Sequence, residues 1–203
     1  MKKLAMFGGT FNPIHNGHLH MVQGFRERLG LDRVLLIPSR VPPHKAADDL
    51  ADAKDRLEMC RLAAEPCGLA VSDLELRRDG PSYTVDTLRQ LHKANPDAEL
   101  YLLMGADMFL TLEHWFKSEE LLRLARMCAV PREESSKSEL LAYAKHLNSM
   151  GARTHVEDLP LLPVSSTLVR ERIVQGLSIA GLVPEAVEEY IIRHHLYGGI
   201  SNG

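Results

Sequence analysis

Short apolar runs alternate with longer stretches of helical period along this chain, and that alternation restricts its fold more than any other feature. Residues 4–7, 33–38, 69–74, 100–104, 127–130 and 154–157 read as strands, and Val34-Leu35-Leu36-Ile37 is apolar at every position, as a strand buried on both faces must be. Between them, residues 18–29, 53–64, 84–94 and 139–150 and a stretch opened by Ser118 read as helices, with Leu19, Val22, Phe25 and Leu29 at helical spacing and Gly30 as a stop. Two closing helices follow, one opened by Ser165-Ser166-Thr167 and the last by Pro184 at its first position. Such an order predicts an α/β, doubly wound, mostly parallel sheet with helices on both faces. In sheets of that kind ligands sit beyond the carboxyl ends of the strands, which points to residues 8–18, the loop after the first strand.

A length of 203 residues suits one domain, 1–203, with a C-terminal helical part at about 165–198. The net charge of −3 and the 5% of aromatic residues speak against a nucleic-acid partner, although a few cations in one cleft can still hold a small anion. Cys60, Cys67 and Cys128 are odd in number and lack CxxC spacing, which fits reduced, mostly buried thiols in a cytoplasmic protein. The first apolar run stops at Gly8-Gly9, too early for a signal peptide, and no stretch reaches the roughly 20 apolar residues of a membrane span.

The loop Gly8-Gly9-Thr10-Phe11-Asn12-Pro13-Ile14-His15-Asn16-Gly17-His18 has the chemistry of an anion cradle. Paired glycines let the backbone turn tightly and approach a ligand. A helix starting near Asn16, a good N-cap residue, would aim its free N–H groups and positive dipole end at the same space. The segment is neither a Walker loop nor a GxGxxG fingerprint. His15, His18 and His20 lie close in sequence, but no cysteine or carboxylate at ligand spacing completes a site, so no protein-held metal is expected.

Residues 9–18 resemble the GxFxPxHxGH signature of the nucleotidylyltransferase superfamily, and Ser165-Ser166-Thr167-Leu168-Val169-Arg170 resembles its SSTxIR motif, with Val169 for isoleucine. Pro42-Pro43-His44-Lys45, Ser82-Tyr83-Thr84, Gly105-Ala106-Asp107 and Trp115 extend the resemblance over nearly the whole chain, to the bacterial nicotinate-nucleotide adenylyltransferases. Two departures are small: Asn12 stands where many relatives carry Asp, and Pro131-Arg132-Glu133 only loosely follows an Arg-Pro-rich stretch.

The resemblance implies a Rossmann-like fold and a reaction in which nicotinate mononucleotide and ATP give the dinucleotide and pyrophosphate. It implies catalytic roles for His15, His18 and Arg170, and ATP or phosphate contacts from Gly8, Gly9, Thr10, Phe11, Lys45, Gly105, Asp107, Ser165, Ser166 and Thr167. Tyr83, Thr84 and Trp115 would line the pyridine-nucleotide pocket, and Mg²⁺ would arrive on the ATP phosphates. Each landmark also has a plain alternative: helix capping for Ser82–Thr84, Asp107 and Ser165–Thr167, a solvated side chain for Lys45, a core position for Trp115. Arg172 reads as surface.

The attacking group would be the mononucleotide's own phosphate, an anion at neutral pH because its second pKa is about 6. The chemistry then needs no protein nucleophile, in keeping with the lack of a convincing Ser–His–Asp or Cys–His set. Open alternatives are the nicotinamide mononucleotide, another phosphate acceptor as in pantetheine-phosphate adenylyltransferase or the cytidylyltransferases, and a non-catalytic nucleotide sensor on the same fold. Homo-oligomerisation is left open by the sequence.

Overall fold

The computed structural model describes residues 2–40, 50–131, 134–160 and 162–198. Elements follow in the order β1 (Lys2–Gly9), α1 (Asn16–Leu29), β2 (Arg33–Pro38), α2 (Ala53–Ala64), β3 (Ala70–Val71), α3 (Thr84–Ala94), β4 (Ala98–Gly105) and α4 (Ala106–Phe109). Then come α5 (Ser118–Leu124), β5 (Arg126–Val130), α6 (Glu134–Ser149), β6 (Arg153–Val156), α7 (Ser166–Val174) and α8 (Glu185–Arg193). The strands form one sheet in the order β3-β2-β1-β4-β5-β6, with β1–β4, β4–β5 and β5–β6 paired parallel. This is the Rossmann-like, doubly wound arrangement that the alternation predicts. The strand order reverses at β1, whose carboxyl end runs into the loop of residues 10–15.

Two differences have local causes. Strand 69–74 shrinks to Ala70–Val71, after which Asp73 and Glu75 accept turn bonds from the N–H groups of Arg77 and Arg78. Pro184 precedes the last helix as its N-cap, with helical residues from Glu185 onward.

By their contacts the residues group into two compact units. The first comprises Met1–Gly8, Met21–Leu35 and Ser82–Leu161. Its core is built from Leu4–Phe7 of β1, Leu100–Met104 of β4, Met127–Val130 of β5, and the apolar faces of the helices around them, including Val22, Phe25, Leu88, Leu121, Leu140 and Leu147. Glu99 ties three strands at the sheet's amino edge, accepting from the Tyr101 hydroxyl at 2.7 Å, from Arg126 at 3.1 Å and from Arg153 at 3.2 Å.

The second unit comprises Gly9–His20, Leu36–Pro81 and Leu162–Gly203. Phe11, Ile14, Leu36, Ile37, Met59, Val169, Ile173, Val187 and Ile191 are buried in it. The Tyr190 hydroxyl of α8 donates to Asp55 of α2 at 2.9 Å. Cys60 and Cys128 are buried, Cys67 is half-buried, and all three are free thiols. No described helix is long and apolar enough to cross a membrane.

Candidate active site

His15 and His18 are joined by a reciprocal pair of hydrogen bonds at the start of α1. The His15 N–H donates to Nδ1 of His18 at 3.2 Å, and the His18 N–H donates to Nδ1 of His15 at 3.3 Å. This is the geometry of a capping box, with His15 at the N-cap and His18 three residues on taking the places usually held by Ser/Thr and Glu. The three-residue spacing therefore has a mechanical reason: it is the spacing at which two side chains can each satisfy the other's orphan N–H. The rings stack, with centroids 3.5 Å apart and planes 22° from parallel.

An Nδ1 that accepts a hydrogen bond carries no proton, so each neutral ring carries its proton on Nε2, on the side away from the loop backbone. Burial reinforces this at His15, which is 7% exposed and whose pKa is held down at about 4. His15 is thus a neutral hydrogen-bond donor at pH 7.

Two glycines make the arrangement fit. A Cβ on Gly17 would sit 3.0 Å from Nδ1 of His15, and a Cβ on Gly9 would sit 3.0 Å from the Phe11 ring. Phe11 itself adopts φ +47°, an uncommon state for a side-chain-bearing residue, and meets His18 edge-on at 5.2 Å. Asn16 does not cap the helix as its sequence position suggests. It is the first helical residue, and its side-chain amide donates to the Gly181 carbonyl at 2.9 Å while its backbone N–H donates to Leu182.

The second motif meets this loop within the same unit. Arg170 donates through Nη1 to the Asn12 carbonyl at 2.8 Å, and the Ser166 hydroxyl donates to the Pro13 carbonyl at 2.9 Å. Ser165 is the true N-cap of α7, its hydroxyl accepting from the Leu168 N–H at 3.1 Å. Thr167 is exposed in the first turn. The Asn12 side chain is 8% exposed and accepts from the Ala51 N–H at 3.1 Å, a structural task for which an amide serves as well as a carboxylate. Thr10, Phe11, His15, His18, Ser165, Ser166, Thr167 and Arg170 are therefore drawn into one constellation. A cleft of about 710 Å³, lined in part by Thr167, Arg170 and Tyr197, flanks α7.

Of the remaining predicted residues, Gly9 belongs to the second unit, and Gly8, Tyr83, Thr84, Gly105, Asp107 and Trp115 belong to the first. Gly8 is exposed in β1. Gly105 ends β4, and Asp107 is exposed in the first turn of α4. Tyr83 precedes α3 as its N-cap without a side-chain cap bond, and Thr84 opens the helix. Capping is therefore not what the Tyr83 side chain does. The Ser82 hydroxyl is buried with no hydrogen-bond partner among the described residues. Trp115 is half-buried, its indole N–H donating to the Thr111 hydroxyl at 3.0 Å. Lys45, with the rest of Pro42–Lys45, and Arg132-Glu133 lie outside the described residues. Arg172 is half-buried and donates to the Ser178 carbonyl at 2.6 Å, a turn-closing bond rather than a purely surface position.

Two residues escape the sequence reading. Phe116 packs on Tyr83 with ring centroids 4.4 Å apart, and its one sequence signal is an aromatic next to the lone tryptophan. Arg56 is 1% exposed, and its signal is a charge on the same helical stripe as the buried Met59, Cys60 and Ala63. Among the described residues no group of three or more His, Cys, Asp or Glu could hold a metal ion.

A cytidylyltransferase-like family model matches residues 6–172, a span that includes both motifs. This chain belongs to that family. Among curated relatives, a protein of Synechococcus sp. (strain JA-3-3Ab) named "Probable nicotinate-nucleotide adenylyltransferase" is 42% identical, over 97% of this chain and 95% of the relative. One of Bacillus pumilus (strain SAFR-032), with the same name, is 40% identical over 97% and 99%. The fold is also that of Plasmodium falciparum nicotinic acid mononucleotide adenylyltransferase. Its complex with NaAD aligns at TM-score 0.81 and 18% identity, covering 98% of this chain and 99% of that one. Its complex with APC aligns at TM-score 0.80 and 17% identity.

Proposed function

We propose that this cytidylyltransferase-like protein transfers AMP from ATP to nicotinate mononucleotide, giving nicotinate adenine dinucleotide and pyrophosphate, a step of NAD biosynthesis. The observation that carries the proposal is the complete His15–His18–Arg170 constellation around one backbone loop. The names of relatives at 40–42% identity over nearly the whole chain support the same acceptor.

The reaction is an in-line displacement. An oxygen of the mononucleotide phosphate forms a bond to the α-phosphorus of ATP, and the bond from that phosphorus to the bridging oxygen of the β-phosphate breaks. Pyrophosphate leaves with the electron pair. Both reactants are polyanions, so the protein's task is to align them and to stabilise charge as it builds on the α-phosphate and the leaving group. His15 and His18 supply Nε2–H donors to the α- and β-phosphates without needing to be cationic. Arg170 serves the leaving pyrophosphate with the donors it does not spend on Asn12, and the hydroxyls and N–H groups of Ser165–Thr167 complete that side. Lys45 is assigned to the same phosphates.

Tyr83, Thr84 and Trp115 are assigned to the pyridine nucleotide, a flat ring being well met by aromatic side chains. Gly8, Gly9, Thr10, Phe11, Gly105 and Asp107 are assigned to ATP. ATP enters as its Mg²⁺ complex.

Two measurements test this reading. Protein incubated with MgATP and nicotinate mononucleotide should form the dinucleotide and pyrophosphate in equal amounts, with inversion at the α-phosphorus. Retention there would mean a covalent adenylyl-enzyme and would overturn the direct displacement. His18→Ala should lower kcat by roughly 10²-fold while leaving the ATP Kd nearly unchanged. An unaltered kcat would remove His18 from the mechanism.

A further inference from the structure

We infer that Arg56 is a positioning residue for the nucleotide loop, tying that loop by its guanidinium to the backbone after β2 and ahead of α2. The inference rests on the adenylyl-transfer reading of that loop. Arg56 projects from the first turn of α2 and is 1% exposed, an unusual place for a guanidinium without a carboxylate partner. Four of its five N–H donors go to backbone carbonyls. Nε donates to Ala51 at 3.0 Å, Nη1 to Thr10 at 2.7 Å and Ser39 at 2.8 Å, and Nη2 to Arg40 at 3.3 Å. One planar fork thereby joins the loop after β1, the loop after β2 and the residues that lead into α2.

Among the described residues no carboxylate is hydrogen-bonded to it. Asp52 contributes field but no hydrogen bond, and the neighbouring Cys60 thiol and Tyr197 phenol are pushed up by burial, so both stay uncharged at pH 7.

The bond to Thr10 also has a directional consequence. In a trans peptide the C=O of one residue and the N–H of the next point in opposite directions. Drawing the Thr10 carbonyl toward Arg56 therefore turns the Phe11 N–H away from the guanidinium. The same logic applies at Pro13, whose carbonyl accepts from Ser166, so the Ile14 N–H is turned away from α7. A lysine at position 56 could keep the charge, but its single ammonium cannot reach four carbonyls in one plane.

The test compares Arg56→Lys and Arg56→Ala with the wild type, in folded protein verified by thermal unfolding. Arg56→Ala should lower kcat/KM for ATP by roughly 10²-fold, the cost of a small misplacement in the reacting geometry. Its KM for the mononucleotide should change less than about twofold, as expected for a mutation that spares uniform binding of that substrate. Millimolar guanidinium should recover several-fold of the lost rate in Arg56→Ala and leave the wild type unaffected, a rescue that a purely structural role would not show. Arg56→Lys should lie between the two without rescue. Normal kcat/KM in both variants, or loss of activity in Arg56→Ala that guanidinium does not relieve, would overturn the inference.

Should Arg56→Ala not fold, amide hydrogen exchange at residues 10–12 of Arg56→Lys decides the question. Faster exchange there than in the wild type is expected, and unchanged exchange contradicts the positioning role. A wild type that binds ATP yet releases no pyrophosphate would instead refute the reaction, and ATP affinity and exchange would still report on Arg56.

Discussion

The imidazole of His15 has two jobs, and they pull toward the same protonation state. It caps α1 through Nδ1, and it presents Nε2–H on its other side. Both require the neutral ring. Because burial holds the folded-state pKa near 4, against an ordinary value of 6.5, the unfolded chain takes up a proton at His15 that the folded one refuses between those values. Stability should therefore fall as the pH drops from about 6.5 toward 4, by up to roughly 3 kcal/mol from this residue alone. Urea unfolding of wild type and His15→Asn measures it. The asparagine can cap the helix but does not titrate, so the difference between the two curves should narrow toward acid. A constant difference across that window would show that His15 is not held neutral by the fold.

At the scale of elements, the glycine inside the HxGH motif is a packing requirement. Gly17→Ala would press a methyl against His15 Nδ1 and the Val164 carbonyl. If His15 acts on the phosphates as proposed, it should lower kcat by at least about tenfold, the cost of misplacing a reacting-site group. The parent rate in Gly17→Ala would show that the ring stack has slack.

The elements themselves were readable in advance to differing degrees. β2 falls where its unbroken apolar run predicts, because it is buried on both faces, and α2, α3 and the start of α5 fall where their apolar period and flanking residues predict. The strand expected at 69–74 was largely lost because turn bonds from Arg77 and Arg78 compete with the ladder for that backbone. Asn16 misled as a cap because composition cannot reveal that a residue 165 positions away, Gly181, takes up its amide. The two motifs were visible as residue types, yet the reciprocal cap and the carbonyl partners of Arg170 are three-dimensional facts. Arg56 and Phe116 carried signals too weak to separate from ordinary helix and loop positions.

Along the whole chain, the loop assigned to the phosphates follows β1, and the residues assigned to the pyridine nucleotide open α3 and follow α4. A slightly acidic chain can serve two polyanions because its relevant cations and donors are local, not summed over the surface. Ligand binding should be visible globally. MgATP at a hundred times its Kd should stabilise the native state by about 2.7 kcal/mol. That corresponds to a rise in Tm of several degrees for a chain of this length, about 2–4 °C per kcal/mol. At the same nucleotide concentration Arg170→Ala should lose most of the rise, and an undiminished shift would remove Arg170 from the phosphate site.

Adenylyl transfer to a pyridine mononucleotide is decided by the initial rate of pyrophosphate release from MgATP with nicotinate mononucleotide, with nicotinamide mononucleotide and with no acceptor. Release should depend on the acceptor and be much faster with the nicotinate form. Faster release with the nicotinamide form would reverse the acceptor, and no release with either, while ATP still binds, would contradict the reaction itself.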